Sequence, residues 1–535
     1  MGLASMRRGF AVPGLLSLLL SLPIASGAVA QVTPFKQAVA EAAAEDSDIA
    51  GFYRENEYAP LWTGTGDGDR ARRAELLRAI ENAEAHGLPV ARYDPAGLVA
   101  QLGAVRSERD RGLAEVAMSR VFLQYARDIQ TGVLIPSRID RQIVREIPYR
   151  DRGAYLASLN TTAPAALFRG LPPRTIEYNA LLKEKLTLER LLAAGGWGPT
   201  VQSGTLRPGD TGKEVLSLRN RLISMGFLDR TLTQSYDETM TTAVKSFQLA
   251  HGLNQDGIAG PETMRQINSG VETRLQSVIV ALERERWLNL DRGDRHVLVN
   301  IPDFSARIID NGKVTFSTRS VVGAARDDRP TPEFSDRMEF MVINPSWYVP
   351  RSIVTKEYLP QLKRNPYAVR HIEVTDRQGR KINRGAVNFN NYNARNFPFS
   401  MRQPPSHDNA LGLVKFMFPN KYNIYLHDTP AKSLFQRDVR AFSHGCVRLA
   451  DPFEFAYALL APQSDDPEGL FHAKLNTGRE TRVNLEPPVP VHLIYRTAFT
   501  NARGQTEYRA DIYGRDARIW SALSKAGVAL RAYRG

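Results

Sequence analysis

Near residue 295 the hydrophobic period of this 535-residue chain changes from helical to strand-like, and the change divides what can be built on either side of it. Before it, residues 71–86 carry Leu76, Leu77, Ile80 and Ala83 on one helical face, and Gly87-Leu88-Pro89 stops the run. Residues 113–129 and 179–194 repeat the pattern, which predicts a helical scaffold over 31–200, joined by Pro- and Gly-containing connectors. That scaffold contains no nucleophile motif and no metal-ligand spacing. After the change, residues 296–301 and 306–309 read as strands, and Asn311-Gly312 marks a tight hairpin turn into 313–316. Further strands are predicted at 338–343, 422–427 and 491–495, in a β-rich domain placed over 295–515. Helices first and strands afterwards predict a multidomain α+β chain. A long segment with aromatic loops, about 346–419, has residues 356–363 helical and reads as a lid inserted into the β-rich domain. Residues 516–535 are left as a C-terminal tail.

Between scaffold and strands, residues 193–209 are rich in Gly, Ser, Thr and Pro and read as a linker. A compact three-helix module follows over 205–268, with helices at 215–225 and 239–251 and a Gly-punctuated run, 252–263, opening the third. Residues 271–290 make another helix, with Val271, Leu275, Val278, Ile279 and Leu282 on one face. That stripe needs an apolar partner, and a return to the scaffold makes the module an insertion. In the module, Leu206-Arg207-x-Gly209-Asp210-x-Gly212-x-x-Val215 is followed by Phe247-Gln248-x-x-x-Gly252-Leu253-x-x-Asp256-Gly257-x-x-Gly260-Pro261-x-Thr263. This order resembles the peptidoglycan-binding-like domain. Glycan binding and a purely structural role are both compatible with it.

The first thirty residues read as an export signal. Arg7 and Arg8 precede an apolar stretch, 12–23, and Ala28-Val29-Ala30 supplies a cleavage site before Gln31. An uncleaved anchor is the alternative. No later stretch approaches the roughly twenty apolar residues of a spanning helix. The expected location is therefore the periplasm. Hydrophobic content of 43% is ample for packed cores. The formal charge is +13, and removing Arg7 and Arg8 with the signal leaves +11. The basic residues are interspersed with acids and the chain is exported, so an anionic envelope polymer is the expected partner and nucleic acid is not.

The chain has one cysteine, Cys446, within Ser443-His444-Gly445-Cys446-Val447-Arg448-Leu449. An exported cysteine without an intramolecular partner is buried, bonded to another molecule, or reactive. Its neighbours suit a thiolate better than an apolar packing group. Cysteine acyl transfer needs a sulfur nucleophile, a base and oxyanion donors. His444 and His427 are both candidates for the base, and a strand-end histidine such as His427 approaches more readily across a hairpin. Gly445 lets a carbonyl come close to the Cys446 amide, and Arg448 can grip a carboxylate in bidentate fashion. Zinc held by His427, His444 and Cys446 lacks the supporting C-x-x-C or H-E-x-x-H pattern, so no metal is expected.

Together with Tyr425-Leu426-His427-Asp428-Thr429-Pro430, the heptapeptide resembles the H-x(n)-S-H-G-C-[IV]-R motif of L,D-transpeptidases. The helical scaffold, small module and long insertion resemble the large periplasmic branch of that family. The resemblance implies Cys446 as nucleophile, His427 as proton donor and acceptor, and the Asp428 carbonyl orienting the imidazole. It further implies an oxyanion hole made by the Tyr425 hydroxyl and the Cys446 amide. Arg448, His444, Gly445 and Ser443 are assigned to substrate binding. The implied reaction joins peptidoglycan stem peptides by 3→3 cross-links through a cysteine thioester, releasing the terminal D-alanine of a tetrapeptide. An envelope protein's amine is an alternative acceptor, and no cofactor is called for. The same residues would serve an L,D-carboxypeptidase, and a non-catalytic wall-binding protein is the alternative from another class. Oligomeric state is not legible.

Overall fold

The computed structural model describes residues 33–501 and 504–531, so the signal expected over 1–30 lies outside the described residues. Among the described residues no helix is long and apolar enough to cross a membrane. The scaffold helices form where the 3.6-residue period lies. Asp67–Glu81 is followed by a short 3-10 turn, Ala83–His86, which Gly87 ends in the left-handed conformation at φ 69°. Glu108–Thr131 opens on a reciprocal cap: Asp110 N donates to Ser107 Oγ at 3.1 Å, and Ser107 N to the Asp110 carboxylate at 3.0 Å.

The helix Val271–Trp287 packs against Ile176–Ala193 and Glu108–Thr131. Its Leu275, Val278 and Leu282 are fully buried in the scaffold core. Each such side chain contributes roughly 1.5–3 kcal/mol of transfer free energy. Between the linker and this helix, Lys213–Ser224, Glu238–Ala250 and Pro261–Ile267 close on a core of their own around Val215, Leu222, Val244 and Phe247.

The β-rich body contains β1 (Arg295–Asn300), β2 (Ser305–Asp310), β3 (Lys313–Gly323) and β4 (Phe334–Ile343). After them come β5 (Trp347–Tyr348), β6 (Glu373–Thr375), β7 (Ser400–Gln403), β8 (Val414–Met417) and β9 (Leu426–His427). The last are β10 (Ala441–Ser443), β11 (Val447–Leu449) and β12 (Thr481–Ile494). Nine strands form one sheet in the order β10-β3-β11-β9-β8-β4-β12-β1-β2, and pairing of β2 with β3 closes it on itself. Asn311 and Gly312 join β2 to β3 at φ 50° and 76°, the backbone a two-residue hairpin loop requires. The core combines Val297, Val299, Phe416, Leu426 and Val447 of the strands with Phe455, Leu459 and Phe471 of the helices Pro452–Leu460 and Pro467–Leu475.

The remaining strands make a separate three-stranded sheet, β5-β7-β6, within the lid. It packs on a helical segment in which a π-turn, Val354–Tyr358, separates Arg351–Ile353 from Leu359–Arg364. Ile353, Leu359, Leu362, Phe389 and Phe397 give the lid its own core.

Three expectations need correction. The lid ends before 419, because β8 at 414–417 pairs with β4 and β9 and belongs to the main sheet. The strand expected over 422–427 is reduced to Leu426–His427, since Asn423 takes φ 54° and turns the chain ahead of it. The expected C-terminal tail is packed against the scaffold over 516–531, the part of it that the structure describes. The helix Arg515–Lys525 buries Ile519 and Leu523 in the scaffold core, and the hairpin of Ala498–Thr500 with Thr506–Tyr508 adds Ala498 and Tyr508. The β-rich body therefore hands the chain back to the scaffold soon after β12.

Where scaffold and sheet meet, the contact is charged and buried. Glu333, just ahead of β4, accepts from Arg284 at 2.8 Å and Arg515 at 3.1 Å, with Arg145 at 3.6 Å. Arg284 also bridges to Asp516 at 2.7 Å. Burying so many charges costs desolvation that only mutual pairing offsets, so removing one partner is costly.

Candidate active site

Strand alternation sets up the site. Leu426, Phe416 and Val447 point into the core, so the next residues on each strand face the other way. Register then aligns them: His427 lies opposite Arg448 on parallel β11 and opposite Lys415 on antiparallel β8. His427 is buried, and its Nδ1 donates to the Asp428 carbonyl at 2.5 Å. A carbonyl only accepts, so Nδ1 holds the ring proton and Nε2 keeps a free lone pair. Burial, then the Arg448 charge, pulls the imidazole down to about 3 against the opposing carbonyls of Asp428 and Leu411. His427 is therefore neutral at ordinary pH.

Cys446 sits between β10 and β11 in a cleft of about 810 Å³, which it shares with His427, Tyr425, Trp347, Arg448 and Glu357. The thiol faces the Asn423 carbonyl at 3.5 Å. Burial pushes it up to about 11, although hydrogen bonding from the Tyr425 amide and hydroxyl and the charge of Arg448 favour the thiolate. Burial thus disfavours the thiolate that the sequence neighbours suit. One of those neighbours points elsewhere, and the charge on the other does not outweigh desolvation. Tyr425 is itself held well above the ordinary phenol range, first by burial and then by the facing sulfur.

The other candidates divide by what they touch. Ser443 Oγ donates to the Cys446 carbonyl at 2.5 Å and accepts from Gly445 N at 3.0 Å, stapling the loop from within. Gly445 stands at φ 114°, and a Cβ there would meet Ile424 at 3.0 Å, so glycine is required. His444 bonds Glu357 of the lid at 2.6 Å, and Glu357 also pairs with Arg329 at 2.8 Å. The Asp428 carboxylate is occupied by Lys432 at 2.8 Å and Leu413 N at 2.9 Å, which leaves its carbonyl as the group that reaches His427.

Arg448 differs from all of these. It lines the cleft with no ion pair among the described residues, and its Nε is buried without a hydrogen-bond partner. Desolvation lowers its pKa, and an incoming carboxylate would relieve that cost. Among the described residues no group of three or more His, Cys, Asp or Glu side chains is disposed to hold a metal ion.

Sequence reasoning missed Glu357 and Asn423. Glu357 belongs to an ordinary charged helical run, and only the π-turn, a feature frequent at functional sites, singles it out. Asn423 acts through its carbonyl, which leaves no side-chain signal.

Comparison with known proteins places names on these parts. Residues 294–482 match the L,D-transpeptidase catalytic domain, residues 47–186 a scaffold domain, and residues 211–267 a "Putative peptidoglycan binding domain". A Haemophilus influenzae protein described as "Putative L,D-transpeptidase" is 29% identical over 263 residues, which is 48% of this chain and 53% of that protein. The chain thus spans about half the length of this curated relative. A solved L,D-transpeptidase from Xylanimonas cellulosilytica aligns at 15% identity over 56% of this chain and 100% of its own, with a TM-score of 0.17. One from Stackebrandtia nassauensis aligns at 15% over 56% and 97%, with a TM-score of 0.21. Superpositions this loose carry no argument. The chain thus contains an L,D-transpeptidase catalytic domain, joined to a scaffold domain and a peptidoglycan-binding domain.

Proposed function

We propose that the protein is a periplasmic L,D-transpeptidase that cross-links peptidoglycan stems through a thioester on Cys446. One observation carries the reading. The Cys446 thiol, an imidazole with a free Nε2, a facing tyrosine hydroxyl and an arginine with no ion pair among the described residues share one cleft.

In the first half-reaction the sulfur attacks the carbonyl of the third residue of a tetrapeptide stem, and the thiol proton passes to His427 Nε2. With both groups neutral at rest, proton transfer accompanies attack rather than preceding it. The Cys446 N–H and Tyr425 hydroxyl hold the oxyanion, and the Asp428 carbonyl steadies the imidazolium through Nδ1. Collapse breaks the amide bond, and the His427 proton goes to the departing D-alanine amine.

In the second half a stem's side-chain amine attacks the thioester. It gives its proton through His427 to the leaving sulfur and forms a 3→3 link. Arg448 holds a substrate carboxylate, while Ser443, His444 and Gly445 shape the loop beneath it. A protein amine could replace the stem amine at the same step.

The test is mass spectrometry of disaccharide-tetrapeptide incubated with the protein and with Cys446→Ala. A dimer lighter by one D-alanine, absent with the variant, is the expected result. Tripeptide alone would indicate hydrolysis, and unchanged substrate with both proteins would overturn the reading in favour of wall binding.

A further inference from the structure

Beyond the residues that line the cleft, Thr331 stands out as a fully buried hydroxyl with a defined task. It lies on the segment between β3 and β4 and lines no part of the cleft. Its Oγ1 donates to the Gly445 carbonyl at 2.8 Å and accepts from Gly323 N at 2.9 Å. The backbone around the thiol is then fixed almost completely. Gly445 N goes to Ser443 Oγ, Gly445 O to Thr331, and Cys446 O to Ser443 Oγ. The Cys446 N–H alone has no acceptor among the described residues. In a trans peptide the C=O and N–H point in opposite directions, so holding the Gly445 carbonyl on Thr331 turns the Cys446 N–H away from it.

Thr331 is in turn held from the C-terminal segment. Arg515 donates to the Thr331 carbonyl at 2.9 Å, and the Tyr513 hydroxyl accepts from Thr331 N at 3.2 Å and donates to the Gly323 carbonyl at 2.6 Å. The close approach depends on Gly323, where a Cβ would strike the Arg329 carbonyl oxygen and Thr331 N. Arg515 also binds Glu333, which is paired with Arg284 of the scaffold helix Val271–Trp287. A continuous chain of buried hydrogen bonds thus runs from the scaffold to the peptide bond beside the thiol.

We propose that Thr331 is a positioning residue that aims the Cys446 amide as an oxyanion donor, and that the C-terminal segment clamps it through Arg515 and Tyr513. This rests on Cys446 being the acylated nucleophile, but not on the identity of the substrate. An amide donor matters only where an oxyanion forms, which separates two reactions of the same sulfur. Acylation by p-nitrophenyl acetate passes through a tetrahedral oxyanion; alkylation by iodoacetamide does not.

In the full chain, Thr331→Val keeps the shape and removes the hydroxyl. It should slow acylation of Cys446 by about tenfold to a hundredfold, below the full loss of an oxyanion donor, while alkylation stays within about threefold. Thr331→Ser should restore acylation. Tyr513→Phe, which loosens Thr331 without touching its side chain, should give an intermediate loss and covers the case in which the valine variant does not fold. The proposal is overturned if both reactions fall together, if neither changes, or if serine behaves as valine. A wild-type thiol that is alkylated but not acylated also overturns it. Acylation by the ester without turnover of tetrapeptide contradicts only the substrate reading.

Discussion

Because Cys446 is the only cysteine in the chain, every alkylated molecule reports on its sulfur. Burial raises this thiol from an ordinary 9.0 to about 11. At pH 7 that leaves a thiolate fraction of about one in ten thousand, against about one in a hundred for an unshifted thiol. The rarer thiolate is also the stronger nucleophile. With a Brønsted slope near 0.45, two pH units return a factor of about eight, so alkylation should run roughly tenfold slower than for the unfolded chain. The sign is fixed by the direction of the shift: a raised acid pKa favours the neutral form, so reactivity should climb with pH through the range where a free thiol is already levelling off. The assay is the iodoacetamide rate by intact mass from about pH 6 to pH 10, with chain unfolded in urea as reference. The expected profile rises about tenfold per pH unit with no plateau below about pH 10. A plateau beginning near neutral pH, or a folded rate above the unfolded one at pH 7, would refute the neutral pair and require a resting thiolate–imidazolium.

Other consequences follow from the same geometry. Glu333→Gln removes the one carboxylate shared by Arg284, Arg515 and Arg145 and should destabilise the fold by about 3–5 kcal/mol, read as a lowered thermal midpoint; a loss below about 1 kcal/mol would contradict the network's role. Gly445→Ala places a Cβ against Ile424 at φ 114° and should cost about 1–3 kcal/mol, with slower acylation of Cys446; unchanged stability and rate would show that the loop adapts freely. Glu357→Gln weakens the partly exposed links from the lid to His444 and Arg329, so hydrogen exchange over residues 351–364 should speed up while global stability moves by less than about 1 kcal/mol. Unaltered exchange there would mean the lid is held by other contacts.

What the sequence conveyed follows from where the signals are local. The helices Asp67–Glu81 and Val271–Trp287 are written in apolar spacing, and Asn311-Gly312 is written in its own backbone preference, so each was legible. That Cys446 shares a cleft with His427 and Tyr425 follows from the motif, which sets Tyr425 and Cys446 immediately ahead of two adjoining short strands, β9 and β11. The ionisation state of the sulfur was not legible, since desolvation depends on what packs around it from distant elements. The return of Arg515–Lys525 to the scaffold was missed for the same reason: its short stripe, Ile519 and Leu523, acquires meaning only against helices far earlier in the chain. Thr331 and Glu357 carry no motif, and their importance lies entirely in the partners the fold brings to them.

The most direct test of the central claim is to trap the acyl-enzyme. Protein mixed with disaccharide-tetrapeptide, quenched in acid within the first turnovers and mapped by peptide mass, should carry the disaccharide-tripeptide on the fragment containing Cys446. The adduct should be labile to hydroxylamine, as a thioester is, and absent from Cys446→Ala. Product formation without any adduct on Cys446, or an adduct elsewhere in the chain, would contradict the assignment of this cysteine as the acyl carrier.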